Sequence, residues 1–379
     1  MERAHVYRLF LCGIALAAPA CAERDAPVDN IATWSIDPTP ITDIHGVDSV
    51  AEPMIEFASG ATRLSSGVVV VADQYASRLG FFDSAGAPIR SIGRDGSGPG
   101  EFSDIRWIGT CGVDSLFVWD YTRRMIMVFD TAGTFGRQYR PQGSPHEFAC
   151  SRHGAFGVLG LPIEFRPPSA DGTFLEAPVW IADDLGDSIH SLGVTRFGQY
   201  RPLGPLTRIA IGPDRFYVGT AESAWVNVFG TDGRELGVVP IGTGRRRATV
   251  RNYERAIERM LAVAPSRAVR DMQRPVLEAL PMPEWIPPYV DLAVDPAGIL
   301  WVVTSAPGDG QTRLRAIGTD RTNVADVTLP GDVKVHEVGM DYILGVAEDS
   351  LGSQHVLVYR LRRNHEQTGE SDPRPDGRL

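Results

Sequence analysis

Phe81-Phe82-Asp83-Ser84-Ala85-Gly86 returns as Val128-Phe129-Asp130-Thr131-Ala132-Gly133 and again as Val228-Phe229-Gly230-Thr231-Asp232-Gly233. Each copy reads as a strand end running into a turn, because β-formers give way to small polar residues and then to Gly. Fainter copies stand at Ile181-Ala182-Asp183-Asp184-Leu185-Gly186, at Ile317-Gly318-Thr319-Asp320 and around Tyr359. With the apolar position as marker, the copies are spaced by about 47, 52, 48, 88 and 42 residues, which suits four-stranded propeller blades. One gap is about 40 residues too long.

Ahead of each marker lies a second, almost wholly apolar strand: Val68 to Asp73, Leu116 to Asp120, Phe156 to Gly160, Phe216 to Thr220, Leu300 to Thr304 and Tyr342 to Val346. A strand apolar on both sides is buried on both faces, as an inner blade strand between neighbouring blades would be. Six such pairs predict an all-β fold, a six-bladed β-propeller. An isolated strand pattern near Ala32 to Ile36, containing Trp34, can supply the outer strand of the last blade. That closure would remove an exposed sheet edge.

Val71-Ala72-Asp73, Arg78, Phe81-Phe82-Asp83 and Gly96-Ser97-Gly98-Pro99-Gly100-Glu101-Phe102 together resemble the consensus of NHL-repeat-type six-bladed β-propellers, including exported bacterial ones. The second blade repeats the pattern with Val118-Trp119-Asp120 and Val128-Phe129-Asp130, but has Met125 where the family carries arginine. The likeness is good over residues 60–140, weak in the third blade and moderate over 205–362. It implies the fold. Asp73 and Asp120 are expected to cap the turns after their strands, with Arg78 pairing with Asp73. The glycine-rich run Gly93 to Gly100 lacks the ending of a phosphate-cradling loop and the helix that should follow, so it reads as a connection between blades.

The excess residues, about 243–287, separate blades four and five. Val250, Tyr253, Ile257, Met260 and Leu261 fall on one face of a helix that Thr249 can cap. A second helix is expected from Ser266 to Leu280, kinked or broken at Pro275. Placed over the channel mouth, such a helical insertion is a lid; placed along the blades, it is a brace. Arg245, Arg246 and Trp285 are the candidate ligand contacts, through charge and stacking.

Composition bounds the rest. The chain has 379 residues, 43% hydrophobic and 22% charged, with 40 Gly and 28 Pro, which fits a globular protein of short strands and tight turns. A formal net charge of -10 disfavours nucleic acid and anionic lipid surfaces as partners. Arg3 and Arg8, then the apolar run Leu9 to Ala18, then Ala20-Cys21 read as a signal peptide over residues 1–20. Cys21 is either the lipidated first residue of a lipoprotein or an incidental thiol after ordinary cleavage. Residues 21–30 read as a tether, 31–362 as the propeller and 363–379 as a disordered tail. Cys111 and Cys150 remain for the folded part, and either pair as a disulfide or stay as buried thiols.

His146, His153, His190, His336 and His355 show no metal-ligand spacing, so no metal set, no cofactor and no catalytic residue is assigned from sequence. The expectation is an exported, lipid-anchored, monomeric envelope protein that binds an unknown small molecule, glycan or protein without catalysis. The alternative is a metal-dependent hydrolase, lactonase or lyase with its site in the central channel, an activity found among propellers that this chain resembles.

Overall fold

A computed structural model describes residues 34–45, 55–112, 115–151, 154–161, 175–183, 188–198, 201–262, 264 and 266–363. The signal peptide, Cys21, the tether, His153 and residues 364–379 lie outside them. The described chain forms six antiparallel blades, five of which take their strands in chain order from channel to rim. The innermost strands are Ala58–Arg63, Ile105–Cys111, Pro145–Cys150, Arg208–Ile211, Asp291–Val294 and Lys334–Val338. Each touches the next and the last touches the first, so the ring is closed. The fold is the six-bladed propeller that the repeats predict.

The twice-buried strands, such as Val69–Asp73 and Ser115–Asp120, stand second from the channel rather than innermost. The strands inside them escape an apolar pattern search because they mix small, polar and charged residues with apolar ones, as in Ala58–Arg63 and Pro145–Cys150. Their register with the buried strands is continuous except for single bulges, as between Ala58 and Gly60.

The recurring motif is the hairpin between third strand and rim strand. Gly86, Gly133 and Gly233 sit there at φ of 90°, 78° and 80°, a region that side chains rarely adopt. Asp83 accepts the backbone N–H groups of Ala85 and Ala87, each at 2.9 Å, which fixes the turn. Asp73 pairs with Arg78 at 3.1 Å and also accepts the N–H groups of Glu56 and Phe57. It therefore ties the segment entering blade one to the end of that blade's second strand. Asp120 makes the same tie in blade two through Ser103 and Arg123 backbone N–H groups, with Met125 opposite it in the arginine's place. The Arg123 guanidinium donates to the carbonyls of Ser97, Gly98 and Glu101, so the glycine-rich run is a clamped link between blades.

Cys111 and Cys150 end the innermost strands of blades two and three and are joined in a disulfide, with Cα atoms 5.5 Å apart. Of the two alternatives open from sequence, the pairing is the one realised.

Closure uses both ends of the described chain. Trp34–Ile36 and Thr42–Ile44 each pair with Gln354–Arg363, the third strand of blade six. The second of these segments, Thr-Asp-Ile, carries no aromatic or apolar run to mark it in the sequence. Arg363, assigned to the tail from sequence, instead ends this strand: its guanidinium lies over Trp34 and Trp301 and meets the fully buried Asp295 at 2.6 Å. A terminal arginine in a polar context carries no sequence mark of such a partner.

Candidate functional site

All six innermost strands start on one face of the ring. The insertion leaves the rim strand Glu235–Pro240 of blade four and returns to Asp291–Val294 of blade five, so it emerges on that face. Its first helix, α1, spans Val250–Ala262, and Thr249 Oγ1 caps it by accepting the Asn252 N–H at 3.1 Å. Tyr253, Ala256, Ile257 and Leu261 are buried, whereas Val250 in the first turn is exposed. The second, α2, spans Arg267–Ala279 and is capped by Ser266. Helix α2 continues past Pro275, held to α1 by Arg274, whose guanidinium meets Glu258 at 2.7 Å.

Three anchors carry α1 across the mouth. At its start, Asn252 Nδ2 donates to the Pro307 carbonyl and to Asp309 of blade five, both at 2.9 Å. In its middle, Arg255 pairs with Glu348 of blade six at 3.1 Å. At its end, the Tyr75 hydroxyl of blade one lies 3.0 and 3.1 Å from the carbonyls of Ala262 and Ala264. The insertion is therefore a lid over the channel mouth, not a brace along the blades.

Beneath α1 lies a cavity of about 320 Å³. Its walls carry Arg201, Arg208, Arg255, Arg259 and Lys334 against Asp291, Asp332 and Glu348, so cations outnumber carboxylates in a chain that is acidic as a whole. Leu203, Leu206, Met260 and Tyr289 give it apolar patches. Tyr289 is fully buried, with its hydroxyl accepting the Ala221 N–H at 2.9 Å, and burial pushes its pKa up to about 12. A Cβ on Gly219 would stand 2.2 Å from that hydroxyl, so the second strand of blade four needs glycine there.

The cations differ in how they are satisfied. Arg208 meets Glu147 at 3.2 Å and Asp291 at 3.5 Å, and Arg255 is taken by Glu348. Arg201 donates to the Pro281 carbonyl at 2.9 Å. Arg259 on the lid and Lys334 on the floor make no ion pair among the described residues; Arg259 reaches only the Asp332 carbonyl, at 3.5 Å. Burial pulls the pKa of both downward; for Lys334 it is opposed by Asp291 and Glu147 and aided by Arg208 and Arg259, and for Arg259 it is opposed by Asp332 and Glu348 and aided by Arg255. By surface area Lys334 is exposed to channel water, yet protein walls surround it, and that enclosure is the cause of the shift. Burial raises the Glu147 carboxyl, against the pull of Arg208. His146, at the same mouth in a T-shaped contact with Phe197, keeps exposed surface yet is surrounded by protein, and its pKa is lowered to about 4, by that enclosure first and by Arg208 second.

The sequence-picked contacts sit elsewhere. Arg246 and Arg247 form a two-residue strand pairing with Trp285 and Ile286. Arg246 is bound to Asp309 at 2.7 Å, beside Asn252. Burial works to raise the Asp309 pKa, but the hydrogen bonds from Arg246, Asn252 and Ala306 outweigh it and hold it low. The Arg245 and Arg247 guanidinium groups lie 5.5 and 5.3 Å from the Trp285 ring centroid. None of Arg245, Arg246 and Trp285 lines the cavity; the three form and anchor the base of the lid. Arg208, Arg259 and Lys334 were missed because they come from three separate elements. The one local signal was the spacing of Arg255 and Arg259, four residues apart on a helix.

Among the described residues, a single set of three metal-type side chains comes within ligand distance, Asp43, His45 and His355. It lies on the outer half of blade six, not in the channel.

No family profile matches the sequence, and no curated protein matches it. Solved structures do. A Bacteroides fragilis protein described as exported is similar over 90% of this chain and 98% of its own, with a TM-score of 0.51 and 14% identity. A Bacteroides vulgatus member of the DUF4221 family is similar over 87% of this chain and 99% of its own, with a TM-score of 0.51 and 9% identity. At such identities the likeness is one of fold.

Proposed function

We propose that this chain is an exported envelope propeller, lipid-anchored through Cys21, that binds a small anionic ligand beneath α1 without transforming it. The observation that carries this reading is the pair Arg259 and Lys334 on the walls of the cavity, neither held in an ion pair among the described residues, although Asp332 and Glu348 act on the first and Asp291 and Glu147 on the second from farther off. A cation in a walled cavity with no direct ion-pair partner gains from an anionic ligand that supplies one. A cavity of about 320 Å³ suits a compact carboxylate, phosphate or acidic sugar. The carboxylates at the mouth, Glu147 and Asp291, are both engaged by Arg208, which favours charge recognition over a channel metal. Export rests on the basic and apolar N-terminal pattern, and the exported Bacteroides fragilis protein is in keeping with it.

Titration of the purified protein with inorganic phosphate, succinate and glucuronate tests the reading. At least one should bind, and Lys334→Ala and Arg259→Ala should each weaken it about tenfold or more, as loss of a charged hydrogen bond does. Turnover of the bound compound, or binding indifferent to both substitutions, would overturn it.

A further inference from the structure

The closure strand brings a second kind of chemistry to blade six. Asp43 and His45 alternate along Thr42–Ile44 and its exit, so they share one face. The register Thr42 to Val358, Asp43 to Leu357 and Ile44 to Val356 places His45 opposite His355, one step beyond the last pair. Asp43 Oδ1 lies 3.3 Å from His45 Nδ1 and 2.9 Å from His355 Nδ1. The three ligand atoms all fall within 4.8 Å of one another.

The 2.9 and 3.3 Å separations are close to the edge of a small coordination polyhedron, and the two imidazoles stack with centroids 5.0 Å apart, so a modest turn of the rings would aim both at a shared ion. Four ligands at about 2.0 to 2.1 Å around a tetrahedral ion stand roughly 3.3 Å apart. Two imidazoles and a carboxylate are the donor set of borderline divalent ions such as Zn2+. A further carboxylate stands within ion-pair reach of one of these imidazoles, on the side where outer partners of metal-bound histidines lie. Asp349 Oδ2 lies 3.8 Å from the other ring nitrogen of His355, while Asp349 Oδ1 is fixed by the N–H groups of Leu351 and Ser353.

We propose that Asp43, His45 and His355 form a divalent transition-metal site that staples the N-terminal closure strand to the third strand of blade six. An ion there bridges residues 43 and 355, which no covalent link joins, and so favours the closed ring over the open one. The site is separate from the cavity under α1, and its test does not depend on that cavity having a ligand.

The experiment is Zn2+ titration by calorimetry on the full protein carrying no histidine tag, with thermal unfolding in parallel. One Zn2+ per chain is expected, together with a rise in the unfolding temperature. His45→Ala and His355→Ala should each abolish both effects; the two side chains reach solvent, so folding survives. Asp349→Asn should weaken binding about tenfold, as loss of an outer partner does, and His190→Ala should leave it intact. Absence of stoichiometric binding at tens of micromolar Zn2+, or binding that persists in both His variants, overturns the site. Binding through both histidines with an unmoved unfolding temperature overturns the staple.

Discussion

Replacing Arg363 by Met tests how much of the ring's stability rests on its closure. The Arg363 guanidinium meets Asp295 at 2.6 Å and the Gly339 carbonyl at 2.9 Å, and lies over the rings of Trp34 and Trp301. The Asp295 side chain has 0% exposure, so the variant leaves a buried carboxylate without its cation. Removal of one partner of a buried pair costs about 3 to 5 kcal/mol. Asp295 keeps three donors, the backbone N–H groups of Ala297 and Ile299 and the Trp301 Nε1–H, each near 3 Å. That support places the loss at the lower end, roughly 3 kcal/mol, with lost stacking on the two indoles adding up to about 1 kcal/mol. In urea, with a slope of about 3 kcal/mol/M, the midpoint should fall by about 1 M. The double variant with Asp295→Asn should recover part of the loss, giving a coupling of about 2 kcal/mol. A single variant within about 1 kcal/mol of the parent at unchanged slope would refute the reasoning.

Reducing the Cys111–Cys150 bond, which closes a separation of 39 residues, should destabilise the ring by up to about 4 kcal/mol, measured as the urea midpoint with and without reductant. Tyr289→Phe removes the only acceptor, among the described residues, of the buried Ala221 N–H; unfolding should show a loss of about 1 to 3 kcal/mol. Stability should decline as pH falls from about 6.5 to about 4, because His146 takes its proton near 4 when folded and near 6.5 when unfolded, so the unfolded chain is protonated first. His336, whose pKa burial holds well below the usual value, acts in the same sense. His146→Gln should flatten that slope in urea midpoints measured across the range, and an unchanged slope would count against the assignment.

Legibility in the sequence followed burial and locality. The hairpin glycines and the twice-buried strands repeat because every blade needs them, so counting them gave the blade number. The innermost strands did not repeat visibly: Pro145–Cys150 and Lys334–Val338 mix charges with apolar residues according to what faces the channel. The helical periods of the insertion were local and readable, whereas its path over the mouth depends on Asn252 and Arg255 finding partners in blades five and six and on Tyr75 of blade one meeting the end of α1. For the same reason Arg259 and Lys334 could not be paired from spacing, and neither could His45 and His355. Arg245, Arg246 and Trp285 drew attention as a dense basic and aromatic group, but their charges and rings are occupied with one another and with Asp309.

The pairing of Trp34–Ile36 with the last turn of Gln354–Arg363 also fixes an order of events. The earliest described strand to emerge during synthesis must wait for the latest before it has a neighbour, and contacts of such long sequence separation form slowly. Until then five blades can assemble while the sixth presents a bare edge open to other chains. A chain cut short before residue 356 would consequently be no smaller propeller, but an unsealed one seeking a strand from elsewhere.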